Sequence, residues 1–445
     1  MSPCLVCCCT ALLALFELWL LWRWRLPVRQ PVGDEAVDRA LDRAFLPFAN
    51  KTFTEDELRQ AYSLLENVCV FRIAEGGMRV HLVHNPGWGC REFQAFVSSA
   101  LLAHGAVVPT LFGFNRLDEP RVLALDDDVL RGALPRWSST WDSGTAAMRA
   151  QFPHASATGA RLLDLVVRKA QWLNLSTDAR SLTDVLFHPM LSSPAQGRKL
   201  LHVAVPLFSM ATVRDRIFED IAVPDIYHAA FTRAHPHMIG LAEDRPARFA
   251  AKAATLYWRG STTGGTLTPE TAEAFPRVRA VRRARAFCDA NRNVSCDVHF
   301  TAVIQALPGM SAKFADDPIL RPVGDADVFP FASRFLLDVD GNSFSSRLVP
   351  FLLSHCVVVR FSSGVRQWFS HWMQPDTHWH AVALDASNFS DVLQRVVQLT
   401  DAEHEAMIER ANELARRHLT LDAAQQFMRR ALLRWAKLLV VDHQR

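Results

Sequence analysis

Three stretches of the chain set polar side chains where an apolar run gives way to a turn. In LLDVDGNSFSSRL (336–348) a strand is expected to end at Asp338, Gly341 permits a tight turn, and Asn342 or Ser343 caps a helix. The first turn of that helix then carries Ser345, Ser346 and Arg347. Unpaired backbone N–H groups and the helix dipole make such a start an anion site. The Arg347 guanidinium adds a forked, permanently charged partner for phosphate oxygens, so a diphosphate suits the site. The plain alternative is a capped helix with a surface arginine. A second chemistry is open to the same stretch, because Asp338 and Asp340 form a D-x-D pair of the kind that holds a divalent cation. Acid pairs are common in turns, and a helix start beside Arg347 already neutralises phosphate, so no metal is expected. In YWRGSTTGG (257–265), Gly260, Gly264 and Gly265 let the backbone approach a ligand, and three hydroxyls can bond phosphate or sugar. In NRLDEP (115–120), Asp118 and Glu119 follow an apolar run and are candidates for a general base.

Strands alternating with helices are what could hold these stretches together. Phe93, Phe96, Val97, Ala100 and Leu101 recur at helical spacing before Gly105, a natural cap. AVVPTLFGF then reads as a buried strand leading into Asn115–Pro120, and LLHVAVPLF (200–208) as another. Residues 221–246 read as irregular crossing chain. Strands are expected at 255–260, 335–337, 356–361 and 381–384, with a helix over 343–353. Thr54 with Glu57 and Thr400 with Glu403 read as capping boxes, the latter before a long helix ending near His418. Ser390 is expected to cap another helix, and a final amphipathic one to run from about Asp422 to Val440. This rhythm predicts an α/β protein with two Rossmann-like domains facing across a cleft. In open parallel sheets ligands sit beyond the carboxyl ends of the strands, where all three stretches fall.

Taken in this order, WRGSTTGG, LLDVDGNSFSSRL and the upstream NRLDEPRV resemble the signature stretches of glycosyltransferase family 90. FEDIAVPD (218–225), SHCVVVRF leading to QWF (354–369) and, more weakly, QPDTHWHAV (374–382) also resemble it. DVDGNSFS is more similar to the fungal capsule-associated xylosyltransferases than to the animal protein O-glucosyltransferases. The resemblance implies a GT-B-type fold and an inverting, metal-independent transfer from UDP-xylose or UDP-glucose to a glycan, glycolipid or polysaccharide hydroxyl. It implies Asp118 as catalytic base. It implies Ser261 and Thr263 as donor contacts in the Gly-rich loop, and Gly341 to Arg347 as the diphosphate site, with Asn342, Ser345 and Arg347 among its contacts. One departure stands at Pro375–Ala381, where His378 and an aromatic at 379 match the family's pattern but its Trp and second Pro are missing.

The remaining features place the protein. Apolar residues make up 49% and charged residues 21%, which excludes a disordered chain, and a net charge of +3 gives no case for nucleic acid. Cys4 to Trp22 is apolar except for Thr10 and Glu17, about 28 Å as a helix, close to the thickness of a bilayer core. No basic residue precedes it and bulky residues occupy its end, so an uncleaved anchor is expected over residues 1–25, with Trp19, Trp22 and Trp24 at the interface. Arg23, Arg25 and Arg29 oppose a lumenal position for the globular part. Four N-x-S/T sequons among ten asparagines, at Asn50, Asn174, Asn293 and Asn388, favour one, since chance gives roughly one. With no retention tetrapeptide at the end, the expectation is a single-pass protein of the secretory pathway, most simply of the Golgi. A stem over 26–53, an acceptor-side domain over 54–250, a sugar-donor domain over 251–420 and a final helix over 421–445 complete the expected organisation. Cys4, Cys7, Cys8 and Cys9 read as apolar filler of the anchor, Cys356 as a buried thiol, and Cys288 with Cys296 as a candidate disulfide. The basic run Arg277–Arg285 reads as a solvated face with one arginine near the sugar donor, and His371, His378 and His380 as no metal site. The rival functions are a membrane-tethered carbohydrate-binding protein without activity and a metal-dependent transferase using Asp338 and Asp340.

Overall fold

The computed structural model describes residues 34–65, 67–74, 76–117, 120–122, 205–213, 218–226, 249–270, 272–323 and 330–439. The expected anchor, Asp118, Glu119, Asn174 and most of the crossing chain lie outside them. Among the described residues no helix is long and apolar enough to cross a membrane. The chain divides into Met1–Asp42 and Arg43–Arg445. Of the first unit only the start of a helix, α1 (Asp34–Phe45), is described.

The second unit holds two five-stranded sheets. The first contains β1 (Val68–Ile73), β2 (Val80–His84), β3 (Thr110–Asn115), β4 (Phe208–Ser209) and β6 (Ile221–Ala222). They lie in the order β2-β1-β3-β4-β6, antiparallel across β2-β1-β3 and parallel from β3 to β6. Helix α2 (Glu55–Ser63) precedes the sheet, started by the Thr54–Glu57 capping box. Helix α3 (Cys90–His104) packs on the sheet with Phe93, Phe96, Val97, Ala100 and Leu101 buried and Gly105 as its cap. These five are the residues whose helical spacing marks the apolar face. A Cys69–Cys90 disulfide, which spacing does not reveal, ties β1 to the start of α3.

The second sheet contains β7 (Ala253–Gly260), β8 (Ser295–Phe300), β9 (Ser333–Asp338), β10 (Val357–Ser362) and β12 (His380–Ala383). It is parallel throughout, in the order β8-β7-β9-β10-β12. In chain order this is 2-1-3-4-5, the doubly wound arrangement whose topological switch falls between its first and third strands. Here that is the seam between β7 and β9. Strands buried on both faces read as near-continuous apolar runs, as CVVVRF does. Between and after them come α4 (Pro276–Ala290), α5 (Met310–Asp316), α6 (Leu348–Leu353), α7 (Phe389–Gln398), α8 (Asp401–His418) and α9 (Leu421–Ala436). Cys288 and Cys296 are bonded across the α4–β8 loop and Cys356 is a buried free thiol, both as expected. The Thr400–Glu403 capping box starts α8.

Two connections join the halves. Strand β11 (Val365–Arg366), following β10, pairs antiparallel with β5 (Thr212–Val213). Helix α9 returns to the first sheet: Gln425 Nε2 donates to Ser99 Oγ (2.9 Å), and Trp435 Nε1 donates to the Leu111 carbonyl (2.9 Å). The Trp435 ring lies 4.5 Å from that of Phe208, fully buried.

Three local expectations are corrected. Ile221 and Ala222, expected within irregular crossing chain, form β6 and pair with β4. The helix expected over 343–353 begins only at Leu348, so Ser345 and Ser346 precede it and Arg347 sits at its cap position. Ser343 and Phe344 are buried in a turn instead, which draws the chain inward before the helix can start. Ser390 lies inside α7, whose cap position is Asn388; the Asn388 side chain accepts from Ala383 N (2.8 Å) and makes no cap bond to the helix.

Candidate functional site

The loops after β7 and β9 meet at the switch point, and Arg277 joins them. It stands in the first turn of α4, with Pro276 opening the helix. Its Nε donates to the Asp340 carbonyl (2.9 Å), Nη1 to the Ser261 carbonyl (2.9 Å) and to Thr263 Oγ1, and Nη2 to the Val339 carbonyl (3.3 Å). Burial and the nearby Arg347 charge lower its pKa to about 9, with Asp340 and Asp338 opposing, so it is cationic at neutral pH. A Cβ on Gly341 would lie 3.0 Å from Arg277 Nη2 and 3.2 Å from Thr263 Oγ1, tighter than most real contacts, so that position needs glycine for close approach. Gly264 takes a φ of +128°, a region open to glycine, and its N–H donates to Asn342 Oδ1 (3.2 Å). The two loops are thus fastened together twice.

Arg347 donates to the Arg259 carbonyl at the end of β7. Its guanidinium lies 5.7 Å from the Trp258 ring centre and that of Arg277 lies 5.6 Å from it, so one buried indole carries both cations. Ser343 and Ser345 are 1% and 4% exposed, and neither hydroxyl has a hydrogen-bond partner among the described residues. Buried hydroxyls are ordinarily paired, so two orphans beside Arg347 in sequence point to a ligand with acceptor oxygens.

Asp338 and Asp340 are held by neighbouring side chains, although Asp338 Oδ1 has no hydrogen-bond partner among the described residues. Arg360, on β10, forms ion pairs with Asp338 Oδ2 and with Asp340 Oδ1 (3.1 Å), and Ser363 Oγ donates to Asp340 Oδ2. Burial pushes the Asp340 carboxyl up while Arg360 pulls it down. Among the described residues no three His, Cys, Asp or Glu side chains are grouped to hold a metal.

Of the expected site residues, the structure brings Ser261, Thr263, Gly341, Asn342, Ser345 and Arg347 to this seam, while Asp118 lies outside the described residues. Thr263 and Asn342 spend side-chain atoms on bracing the loops. The flanks of the Asp118 stretch are described. Asn115 Oδ1 accepts from Leu117 N (3.1 Å), and Asp220 Oδ2 accepts from Arg121 N (2.9 Å) and Val122 N (2.7 Å). Ser209 Oγ links the two, accepting from Asn115 Nδ2 (3.4 Å) and donating to Asp220. Asp220 is buried, which raises its pKa to about 6 against those hydrogen bonds. His371 and His380 are held near a pKa of 4 by burial, and the His371 ring lies tilted against that of Trp372 at 4.0 Å. Of the sequons, Asn50 and Asn293 are exposed, and Asn388 is half-buried at the start of α7.

The sequence pattern of glycosyl transferase family 90 matches residues 188–445, more than half of the chain. The chain belongs to this family. The family match includes both loops of the switch point and Asp220, and begins beyond the Asn115–Val122 stretch. No curated protein matches. Among solved structures, an α,α-trehalose-phosphate synthase (UDP-forming) from Burkholderia xenovorans, crystallised with glucose-6-phosphate, is similar at 14% identity and a TM-score of 0.29. That likeness covers 44% of this chain and 48% of that one, about half the length of each.

Family membership leaves Arg360, Trp258 and Asp220 unread in the sequence. A charged residue inside the run CVVVRF was the available signal for Arg360, since a cation in a buried strand must be paired. Arg277 was hidden among the five arginines of one helix, where nothing in the spacing sets it apart from the other four.

Proposed function

We propose that this protein is an inverting glycosyltransferase that moves xylose or glucose from a UDP-sugar to a carbohydrate hydroxyl. The observation that carries it is the seam between β7 and β9, where Arg347, two orphaned buried hydroxyls and two closely apposed glycine-bearing loops sit at the switch point of a parallel sheet. In this reading the two sheets belong to a GT-B-type pair of domains, residues 54–250 taking the acceptor and 251–420 the sugar donor. The diphosphate rests against Ser343, Ser345 and Arg347, with Ser261 toward the sugar. Asp118 removes the proton of the acceptor hydroxyl as its oxygen attacks the anomeric carbon, and UDP leaves from the opposite face. Negative charge grows on the leaving diphosphate, where fixed guanidinium N–H groups stabilise it without reorganising. The Arg360 ion pairs on Asp338 and Asp340 favour a reaction that asks no metal of that pair. The protein then works in the lumen of the secretory pathway, most simply the Golgi, tethered by residues 1–25.

The test is an assay of sugar transfer and UDP release over a panel of UDP-sugars, with and without EDTA, beside Asp118→Ala. EDTA-resistant turnover of UDP-xylose or UDP-glucose is expected, reduced at least about a hundredfold in the variant. Loss of turnover in EDTA, restored by a divalent cation, would instead assign the work to the acid pair. Sugar binding without turnover of any UDP-sugar would make the protein a tethered carbohydrate-binding module.

A further inference from the structure

We infer that Arg277 is the positioning residue of the sugar-donor site, setting the gap between its two loops before any ligand arrives; this rests on the reading of the switch point as that site. The residue is 8% exposed, and each hydrogen bond its guanidinium makes here goes to the loop after β7 or the loop after β9. On one side it holds the Ser261 carbonyl and the Thr263 hydroxyl. On the other it holds the carbonyls of Val339 and Asp340. The partners are 14 and 16 residues away in one loop and 62 and 63 in the other, so one planar group fixes two segments the backbone leaves independent. Three of the four acceptors are carbonyls. Drawing them toward the guanidinium fixes the peptide planes of both loops, which Gly264 and Gly341 allow to come close.

Arg277 also acts on Arg347. The two guanidiniums lie against the same Trp258 ring, and the Arg347 charge is one of the causes that lower the Arg277 pKa. Two like charges on one buried indole repel, and a diphosphate between the loops relieves that repulsion. The arrangement therefore stores a preference for an anion, and Arg277 keeps it stored by being tied on four points. Lysine keeps the charge but has one nitrogen with three N–H groups, so it cannot span acceptors on both loops.

The full chain with Arg277→Lys tests this. Donor KM and kcat are measured in the transfer assay, and binding of UDP by titration calorimetry. The expected result is a rise of about tenfold or more in both donor KM and the Kd for UDP, with kcat within about threefold and acceptor KM unchanged. An arginine that only supports the fold would lower Tm and the active fraction and leave donor KM alone, so a donor KM within about twofold of wild type overturns the inference. If Arg277→Lys does not fold, Gly341→Ala tests the same contact, since its added Cβ presses on Arg277 Nη2; the same split in KM against kcat is expected, and unchanged KM again overturns the inference. Wild-type protein that binds neither UDP nor any UDP-sugar would overturn the donor-site reading itself, whereas wild-type binding with an unaffected variant overturns only the role of Arg277.

Discussion

The two sheets face the same task, holding a polar loop at the carboxyl end of a strand, and they use opposite charges. In the all-parallel sheet, buried cations draw in carbonyls and carboxylates: Arg277 ties the loops after β7 and β9, and Arg360 ties Asp338 and Asp340. In the mixed sheet, a buried anion draws in amides: Asp220 accepts the N–H groups of Arg121 and Val122 just after the Asp118 stretch. The difference suits the chemistry proposed for each. The Arg277 clamp, whose acceptors are neutral, leaves positive potential where a diphosphate gains charge. An anionic clamp leaves negative potential beside a stretch whose proposed task is to take up a proton, since a nearby like charge raises the pKa of a carboxylate.

The comparison can be broken most sharply at Arg360. Replacing it with Met strands two buried carboxylates, a change that costs roughly 3–5 kcal/mol when one partner of a buried pair is removed. A urea denaturation midpoint lowered accordingly is expected, with partial recovery when Asp338→Asn is added. A loss under about 1 kcal/mol, the range of exposed pairs, would mean that the cationic side is no tighter than surface electrostatics.

The anionic side is tested by pH. Asp220 titrates near 6 in the native protein and near 4 when unfolded, so between those values the native state holds more protons. Stability from this group is therefore fully present below about pH 4 and is lost as pH rises to about 6, by an amount on the order of 2–3 kcal/mol. The Tm of wild type should fall relative to that of Asp220→Asn between about pH 4 and 6 and run parallel to it above. A constant offset across the whole range would show that Asp220 is not protonated in that window and that hydrogen bonding outweighs burial.

The smallest effect supplies the control. Thr54→Ala and Thr400→Ala each remove a capping-box hydroxyl, one beside each sheet, at an expected cost of about 1 kcal/mol. Equal losses by chemical denaturation would show that the halves unfold as one. A clearly smaller loss at one cap would mean that its half unfolds separately, and the two clamps would then need separate stability scales.

Local chemistry made much of this legible. The apolar face of α3, both capping boxes, four of the five strands of the parallel sheet and the Cys288–Cys296 pair follow from spacing and residue type, whereas β8 (Ser295–Phe300) was not read. The start of α6 did not follow from them, because nothing local tells that Ser343 and Phe344 are buried ahead of the helix. Nor did the pairing of Arg277 with residues 62 and 63 positions away, or of Cys69 with Cys90, since these depend on which strands become neighbours. Within the candidate site the types of the residues were readable while their duties shifted. Thr263 and Asn342, expected as sugar-donor contacts, have side-chain atoms engaged in loop-to-loop bonds, and the arginine that matters most lay in a helix that reads as a basic surface.

The return of α9 to the first sheet has a consequence for how the polypeptide is made. Trp435 closes an aromatic core begun by Phe112 and Phe208, so that core stays open until residue 435 has been made. The parallel sheet, complete by Ala383, can assemble on the ribosome while the earlier sheet still waits for its last wall. The first-made half is thus the last to be sealed, and a nascent chain halted short of residue 435 exposes the apolar surface that chaperones recognise.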